Sequence, residues 1–425
     1  VKVLVVGNGG REHAIAFKLL QSSKVEQVFC APGNGGTATL ARCQNLALGV
    51  NDFTAIGQFA QDNNIDLIVI GPEIPLALGI TDYLQNRGIK VFGPSRAGAQ
   101  IEASKAWAKA LMADGGIPTA KAAVFTDAAA ARGYVEAGSV PIVIKADGLA
   151  AGKGVIVAST VEEAHRAINS IFQGQFGSAG KFVLVEECLI GQEVSVIALT
   201  DGISIRPLLP AQDHKRIGDG DTGDNTGGMG AYAPAPLITP ELMAKIEVEV
   251  LQKAIATLRD RNIDYRGVLY AGLMVSPKGE FKVLEFNCRF GDPETQAILP
   301  LLETPLEDLL LACVEKRLGE MPAIAWKSGA ACCVVASANG YPGEYSKGEA
   351  ISGITSAEGL TDTYIFQAGT KQLEGQIVTD GGRVLGVTGI GSNFVQAIDC
   401  AYAAINCIHF QGMYYRRDIG YRVKK

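Results

Sequence analysis

No Cys-x-x-Cys pair occurs in the sequence, and its nine cysteines (Cys30, Cys43, Cys188, Cys288, Cys313, Cys332, Cys333, Cys400 and Cys407) are scattered and odd in number. That pattern argues against a zinc ribbon or a disulfide framework and fits a reducing compartment. Lysine and arginine form no run, and 38 of them against 44 acidic residues give a formal charge of −6, which argues against a nucleic-acid footprint. No apolar run approaches the length of a bilayer span; the longest are strand-sized, as at residues 67–70. The first residues already read as a strand, with no charged segment, apolar stretch and cleavage site of the kind that directs secretion. The expectation is a soluble cytoplasmic protein with neither membrane nor nucleic-acid partners, and the 425 residues provide for about two to four domains.

What the sequence does have is concentrated in residues 284–296, Leu-Glu-Phe-Asn-Cys-Arg-Phe-Gly-Asp-Pro-Glu-Thr-Gln. Val283, Leu284 and Phe286 have the character of a strand, so Glu285 and Asn287, two apart, project from one face. A carboxylate and an amide oxygen side by side form a hard-oxygen site, suited to a magnesium ion that also takes water and nucleotide phosphate oxygens. Arg289 places a positive fork beside it, and Asp292 before Pro293 marks a rigid corner. These features point to phosphoryl transfer; the alternative is a buried strand whose polar residues form a structural network.

Along the chain, residues 1–6 form a β-branched run that leads into Gly7-Asn8-Gly9-Gly10 and a helical stretch. The N–H groups and dipole of a helix N-terminus can hold an anion there. The dinucleotide fingerprint fails because Glu12 stands where its third glycine belongs, so one phosphate fits better than a pyrophosphate; a ligand-free turn is the plainer reading. Further strands at 25–30, 67–70 and 90–92, with helices at 53–61 and 75–85, predict a parallel sheet with Gly/Pro turns along its carboxyl edge, Gly71-Pro72-Glu73 among them. A lysine-ended strand at 140–145 precedes the loop Ala146-Asp147-Gly148-Leu149-Ala150-Ala151-Gly152-Lys153-Gly154 and a strand at 155–158. A glycine hairpin of this kind can wrap phosphate oxygens while Lys145 neutralises their charge, and it is not a Walker loop because a strand follows it. Residues 186–193 read as an extended acidic hinge. Residues 217–230, rich in Gly, Asp, Asn and Thr, read as a long binding loop or lid, with Asp213, His214 and Lys215 at its base as candidate substrate contacts. A satisfied surface histidine is the bland reading of His214. Thr239-Pro240 opens a helix to about residue 261, a hairpin over 265–286 delivers the opening motif, and short strands with a closing helix follow from 326.

The order of these pieces resembles the ATP-grasp ligases. Within them, Gly-Asn-Gly-Gly-Arg-Glu-His-Ala (7–14), Lys-Ala-Asp-Gly-Leu-Ala-Ala-Gly-Lys-Gly-Val (145–155), Gln-Asp-His-Lys-Arg (212–216), Asn-Thr-Gly-Gly-Met-Gly-Ala-Tyr (225–232) and Glu-Phe-Asn-Cys-Arg-Phe-Gly-Asp-Pro-Glu-Thr-Gln (285–296) are similar to the phosphoribosylamine–glycine ligase family. The resemblance implies an α/β and α+β multidomain fold. It would comprise an N-terminal open parallel α/β sheet (1–103), a central ATP-grasp domain (104–325) with a flexible lid subdomain at about 118–190, and a small C-terminal α+β domain (326–425).

It also implies that Lys105 and Lys145 contact ATP phosphates under a loop bearing Gly148, Gly152, Lys153 and Gly154. Glu186, Glu187 and the hinge near Leu189 would read adenine, Glu193 the ribose, and Glu285 with Asn287 would hold Mg2+ or Mn2+. Leu273 stands about where many ATP-grasp proteins carry a second metal-binding acid. The substrates implied are ATP, glycine and 5-phosphoribosylamine, acted on by a monomer or weak dimer. Gly9 and Gly10 would bind the acceptor phosphate, Asp213, His214 and Lys215 its ribose and amine, and Arg289, Gly291 and Asp292 glycine, with Arg289, Asp292 and Lys145 as the catalytic set. Competing readings are another ATP-grasp ligase or carboxylase, a non-catalytic nucleotide-binding regulator and, more distantly, an NAD oxidoreductase.

Overall fold

The computed structural model describes residues 1–149, 154–175 and 177–424. Its first layer is a parallel sheet of β1 (Lys2–Gly7), β2 (Gln27–Pro32), β3 (Cys43–Asn45), β4 (Leu67–Ile70) and β5 (Val91–Phe92), in the order β3-β2-β1-β4-β5. The apolar runs of β1 and β4 are buried on both faces, as parallel strands between helices must be. The expected helix at 75–85 is two short ones, Glu73–Leu78 and Ile80–Gln85, because Gly79 between them takes φ +95° and turns the chain.

A small antiparallel sheet follows, made of β6 (Ala122–Phe125), β7 (Ile142–Ala146), β8 (Val155–Ala158) and β9 (Val183–Glu187) in the order β6-β9-β7-β8. Beside it lies the sheet of β10 (Gln192–Thr200) and β11 (Ile205–Pro207). The chain then forms β12 (Gln212–Asp213), β13 (Arg216–Gly218), β14 (Thr222–Asn225) and β15 (Gly230–Ala233) before β16 (Gly267–Val275) and β17 (Phe281–Asn287) complete the order β11-β10-β16-β17. β17 is therefore one of the two edge strands, and the entry to the small sheet covers its outer side: Val283 N–H donates to Pro118 O (2.8 Å) and Thr119 Oγ1 to Val283 O (2.6 Å).

Two expectations are corrected here. Residues 217–230 are not a long loop, since β13 and β14 pair as a hairpin whose turn has Gly220 at φ +66° and Asp221 at φ +56°. Positive φ at adjacent turn residues suits a tight β-connection, and polar contacts rather than a core hold the hairpin. The helix opened by Thr239 and Pro240 is interrupted by a π-helical turn, Glu247–Gln252, before it resumes at Lys253–Asp260.

The last layer contains β18 (Ala330–Ser337), β19 (Thr363–Gln367), β20 (Thr370–Leu373), β21 (Gln376–Thr379) and β22 (Arg383–Gly391), with β18, β19 and β22 packed under the helix Phe394–Ile405. Its main sheet runs β12-β15-β18-β22-β19, so two strands from the middle of the sequence are built into it. Among the described residues, no helix is long and apolar enough to cross a membrane.

Candidate active site

The site gathers where the end of β17 meets the start of the helix Lys105–Asp114, β7 and β12. On one side stand lysines. Lys145, buried at the end of β7, lies 3.0 Å from Glu186 and donates to Leu284 O (3.2 Å); Lys109 reaches the same Glu186 at 3.3 Å. Lys105 Nζ donates to Gly148 O (2.8 Å), and Asp147 accepts from Ser104 Oγ (3.0 Å) and Ala106 N–H (3.0 Å), so the start of the glycine loop is tied to a helix N-terminus. Gly148 takes φ +106°, and Gly154 O accepts from Ala146 N–H where the hairpin rejoins (2.8 Å). Gly152 and Lys153 lie outside the described residues. Burial pushes the Lys105 pKa down against the pull of Glu285.

The Glu285 side chain, on a strand paired through its backbone to β16, makes no hydrogen bond and no ion pair within 4.0 Å among the described residues. Burial would raise its carboxyl, but Lys215, Lys145, Lys105 and Arg289 outweigh that and hold its pKa below the ordinary range. Asn287 Oδ1 accepts from Arg289 (3.2 Å). Among the described residues no three His, Cys, Asp or Glu side chains gather as a metal cluster. A partnerless carboxylate and an amide oxygen accordingly fit a hard cation that draws its other ligands from water and phosphate.

On the other side stand arginines. Arg289 lies 3.0 Å from Glu102 and 3.6 Å from Glu73; Arg11 pairs with Glu12 (2.5 Å) and donates to Phe290 O (3.2 Å); Arg383 lies 3.4 Å from Asp292. Burial works to raise the Asp292 carboxyl, but Arg383, Arg11 and a hydrogen bond from Gln296 (2.7 Å) leave its pKa lowered. Burial raises the Glu102 pKa above its ordinary value even beside Arg289. Gly291 is required by close approach, since a Cβ there would meet Glu294 Oε2 at 2.6 Å. Glu294 is buried and accepts from Tyr270 OH (2.7 Å) and Ser195 Oγ (2.9 Å).

Strand alternation divides residues 212–215. Asp213 and Lys215 share one face, 3.1 Å apart, with Glu193 3.6 Å from the lysine. Lys215 keeps a raised pKa: burial opposes its charge, but Asp213, Glu193 and Glu285 support it. His214 faces the other way, which corrects its placement among the substrate contacts. It is fully buried, edge-on to Tyr232 and Tyr421, and its Nε2 accepts from Gly420 N–H (3.3 Å). Burial, with Arg422 and Arg416 nearby, lowers its pKa to about 3 and keeps it neutral.

At the N-terminal turn, Gly9 N–H is already accepted by Glu12 Oε2 (2.6 Å), so it is not free for a phosphate. Gly10 opens the helix Gly10–Leu20 and has no intrahelical acceptor. In the hinge, Glu186 is held by its two lysines, Glu187 pairs with Lys282 (2.5 Å) and accepts from Lys121 N–H (3.0 Å), and Leu189 is half-buried. The residues that sequence reasoning missed are Glu73, Glu102, Lys109, Glu294 and Arg383. Glu73 falls in a stretch marked as a strand-end turn; nothing local singles out Arg383.

Family models for the phosphoribosylglycinamide synthetase N domain, ATP-grasp (A) domain and C domain match residues 1–102, 103–295 and 331–422. The chain is 71% identical over 424 residues to a Nostoc protein named phosphoribosylamine–glycine ligase, covering all of both chains. It superposes on the crystal structure of phosphoribosylamine–glycine ligase from Thermotoga maritima with a TM-score of 0.85 at 34% identity, covering 99% of this chain and 100% of that one. A biotin carboxylase from Campylobacter jejuni shares the fold alone, with a TM-score of 0.74 at 14% identity over 97% of this chain and 92% of its own. With an N-terminal parallel sheet, an ATP-grasp centre and a small C-terminal α+β layer in the family's order, the chain belongs to the phosphoribosylglycinamide synthetase family of ATP-grasp ligases.

Proposed function

We propose that the chain joins glycine to 5-phosphoribosylamine using ATP, yielding glycinamide ribonucleotide, ADP and phosphate, a step of purine biosynthesis. The observation that carries this reading is the meeting at one strand end of a lysine-rich half around Glu285 and an arginine–carboxylate half around Arg289 and Asp292.

A glycine carboxylate oxygen attacks the γ-phosphorus of ATP; the bond to the β,γ-bridging oxygen breaks, ADP leaves and glycyl phosphate forms. The amine nitrogen of phosphoribosylamine then attacks the acyl carbon. The carbon–oxygen bond to phosphate breaks, an amide forms and the nitrogen gives up a proton. Lys105 and Lys145 neutralise the phosphates, with Gly148 and Gly154 bringing backbone close to them. Such transfer requires positioning and charge compensation rather than a protein nucleophile. Glu186, Glu187 and Leu189 frame the adenine and Glu193 the ribose. Arg289, Gly291 and Asp292 receive glycine, and Gly10 with Asp213 and Lys215 faces the acceptor. Glu285 and Asn287 would hold Mg2+ or Mn2+, which when bound adds charge neutralisation at the phosphates.

The test is ADP release from magnesium-ATP, glycine and freshly generated phosphoribosylamine, omitting each in turn, with the product weighed by mass spectrometry. Release that needs both glycine and the amine and yields glycinamide ribonucleotide is expected. Release indifferent to both would defeat the reading.

A further inference from the structure

The hairpin β13–β14 is fastened by a segment two hundred residues further along the chain. Arg416, with no exposed surface, pairs with Asp221 (2.8 Å) and Asp418 (2.8 Å) and donates to Arg216 O (3.1 Å). The Asp221 carboxylate also accepts from Tyr421 OH (2.8 Å) and Arg422 (2.6 Å). Gly220 N–H donates to Asp418 (2.8 Å), Arg417 N–H to Asp219 (2.9 Å) and Tyr414 OH to Ile217 O (3.0 Å).

The base of the hairpin is continuous with the site. Thr226 N–H and Oγ1 both donate to Lys215 O (2.8 Å each), and Met229 N–H donates to His214 O (2.8 Å). On its far side, Arg383 bridges Gly227 O (2.6 Å) and Asp292 O (2.8 Å). Gly420 and Tyr421 press on the buried back of His214, opposite the face that presents Asp213 and Lys215.

We infer that residues 414–422 are a positioning element for the acceptor half of the site: their grip on Asp221 and on the back of His214 sets where Asp213 and Lys215 stand. This rests on reading Asp213 and Lys215 as acceptor contacts. A purely local role for the clamp would leave their register to the short β12–β15 ladder and the backbone bonds of Ala211 with Ser195 and of His214 with Gly230 and Met229.

Asp221→Asn is the sharp variant, because asparagine tolerates the same left-handed backbone while removing the charge. Arg416→Gln removes the other partner, leaving Asp221 to Arg422 and Tyr421 and Asp418 without its arginine, and it threatens folding; Tyr421→Phe is the milder second variant. Each is compared with wild type for the KM of phosphoribosylamine, the KM of glycine, ADP affinity by calorimetry and thermal midpoint, with Asp213→Asn measured in parallel.

Expected for Asp221→Asn is a rise of about ten-fold in the phosphoribosylamine KM, with glycine KM unmoved, ADP affinity changed less than the phosphoribosylamine KM through the Lys215–Glu193 pair, and a smaller rise for Tyr421→Phe. A lowered thermal midpoint with unchanged phosphoribosylamine KM would overturn the inference and leave a structural clamp. An unchanged KM in Asp213→Asn beside a raised one in Asp221→Asn would keep the anchoring but refute the acceptor reading of Asp213.

Discussion

The lysine half and the arginine half of the site carry like charges in unlike company. Lys109 and Lys145 share one carboxylate, Glu186, Lys105 rests on a carbonyl oxygen, and Glu285, near Lys105 and Lys145, brings this half to two carboxylates for three lysines. Arg11, Arg289 and Arg383 face Glu12, Glu73, Glu102 and Asp292, a carboxylate too many for three guanidinium groups. The first half is short of negative charge and, under the proposed function, would be completed by a polyphosphate. The second is saturated and slightly acidic, so a substrate entering it must bring positive charge of its own, as the ammonium of an amino acid does. Buried charge that lacks a partner is costly, and each half therefore selects a ligand by what it lacks.

The comparison breaks hardest at Lys145. Lys145→Met leaves Glu186 with Lys109 alone and removes the cation at the strand end that enters the loop; kcat/KM for ATP should fall roughly a thousand-fold in an ADP-release assay. A loss below ten-fold would mean that the lysine half does not act on the phosphates. Next in size is Arg289→Lys, which keeps the charge but loses the fork, and should raise the glycine KM about a hundred-fold with the ATP KM unchanged. If both constants moved together, the two halves would not be separate ligand sites.

The smallest effect is expected at Glu102. Because burial raises its pKa, the folded chain takes up a proton there at a pH where the unfolded chain has lost it. Stability from this group is thus fully present below the ordinary glutamate value and is lost as pH rises through the raised one. As pH falls through the same window, Arg289 loses a charged partner. The glycine KM should then titrate above the ordinary glutamate range while the ATP KM does not, and Glu102→Gln should shift the glycine KM by about three-fold and flatten that titration. Initial rates between pH 4.5 and pH 8 in steps of about half a unit decide it; a glycine KM flat in wild type would remove Glu102 from the control of Arg289.

What was legible in the sequence is what is local. Alternation along residues 283–287 gave the strand, glycines marked the connection between β7 and β8, and Thr239-Pro240 marked a helix start. The hairpin at 216–225 was not legible because its polar strands cannot bury a core and are held by Arg416, Asp418, Tyr421 and Arg422, whose contribution no window of local spacing contains. Arg289 was legible as a cation and not as a saturated one, since Glu73 and Glu102 reach it from the first sheet's edge. His214 was grouped with its neighbours Asp213 and Lys215, but strand alternation turns it away from the face those two share.

The way the small sheet joins the body bears on how such proteins can be recombined. Its entry is sewn to β17 at Val283 by Pro118 and Thr119, and its exit is sewn to the same strand by Glu187 on Lys282. Both stems thus share one seam, and that seam lies beside Glu285. A chimaera that exchanged residues 118–187 with those of a relative, while leaving 281–285 behind, would put a foreign module on a native seam. The two stretches are distant in the gene but form one inheritable part, and they should be transplanted together.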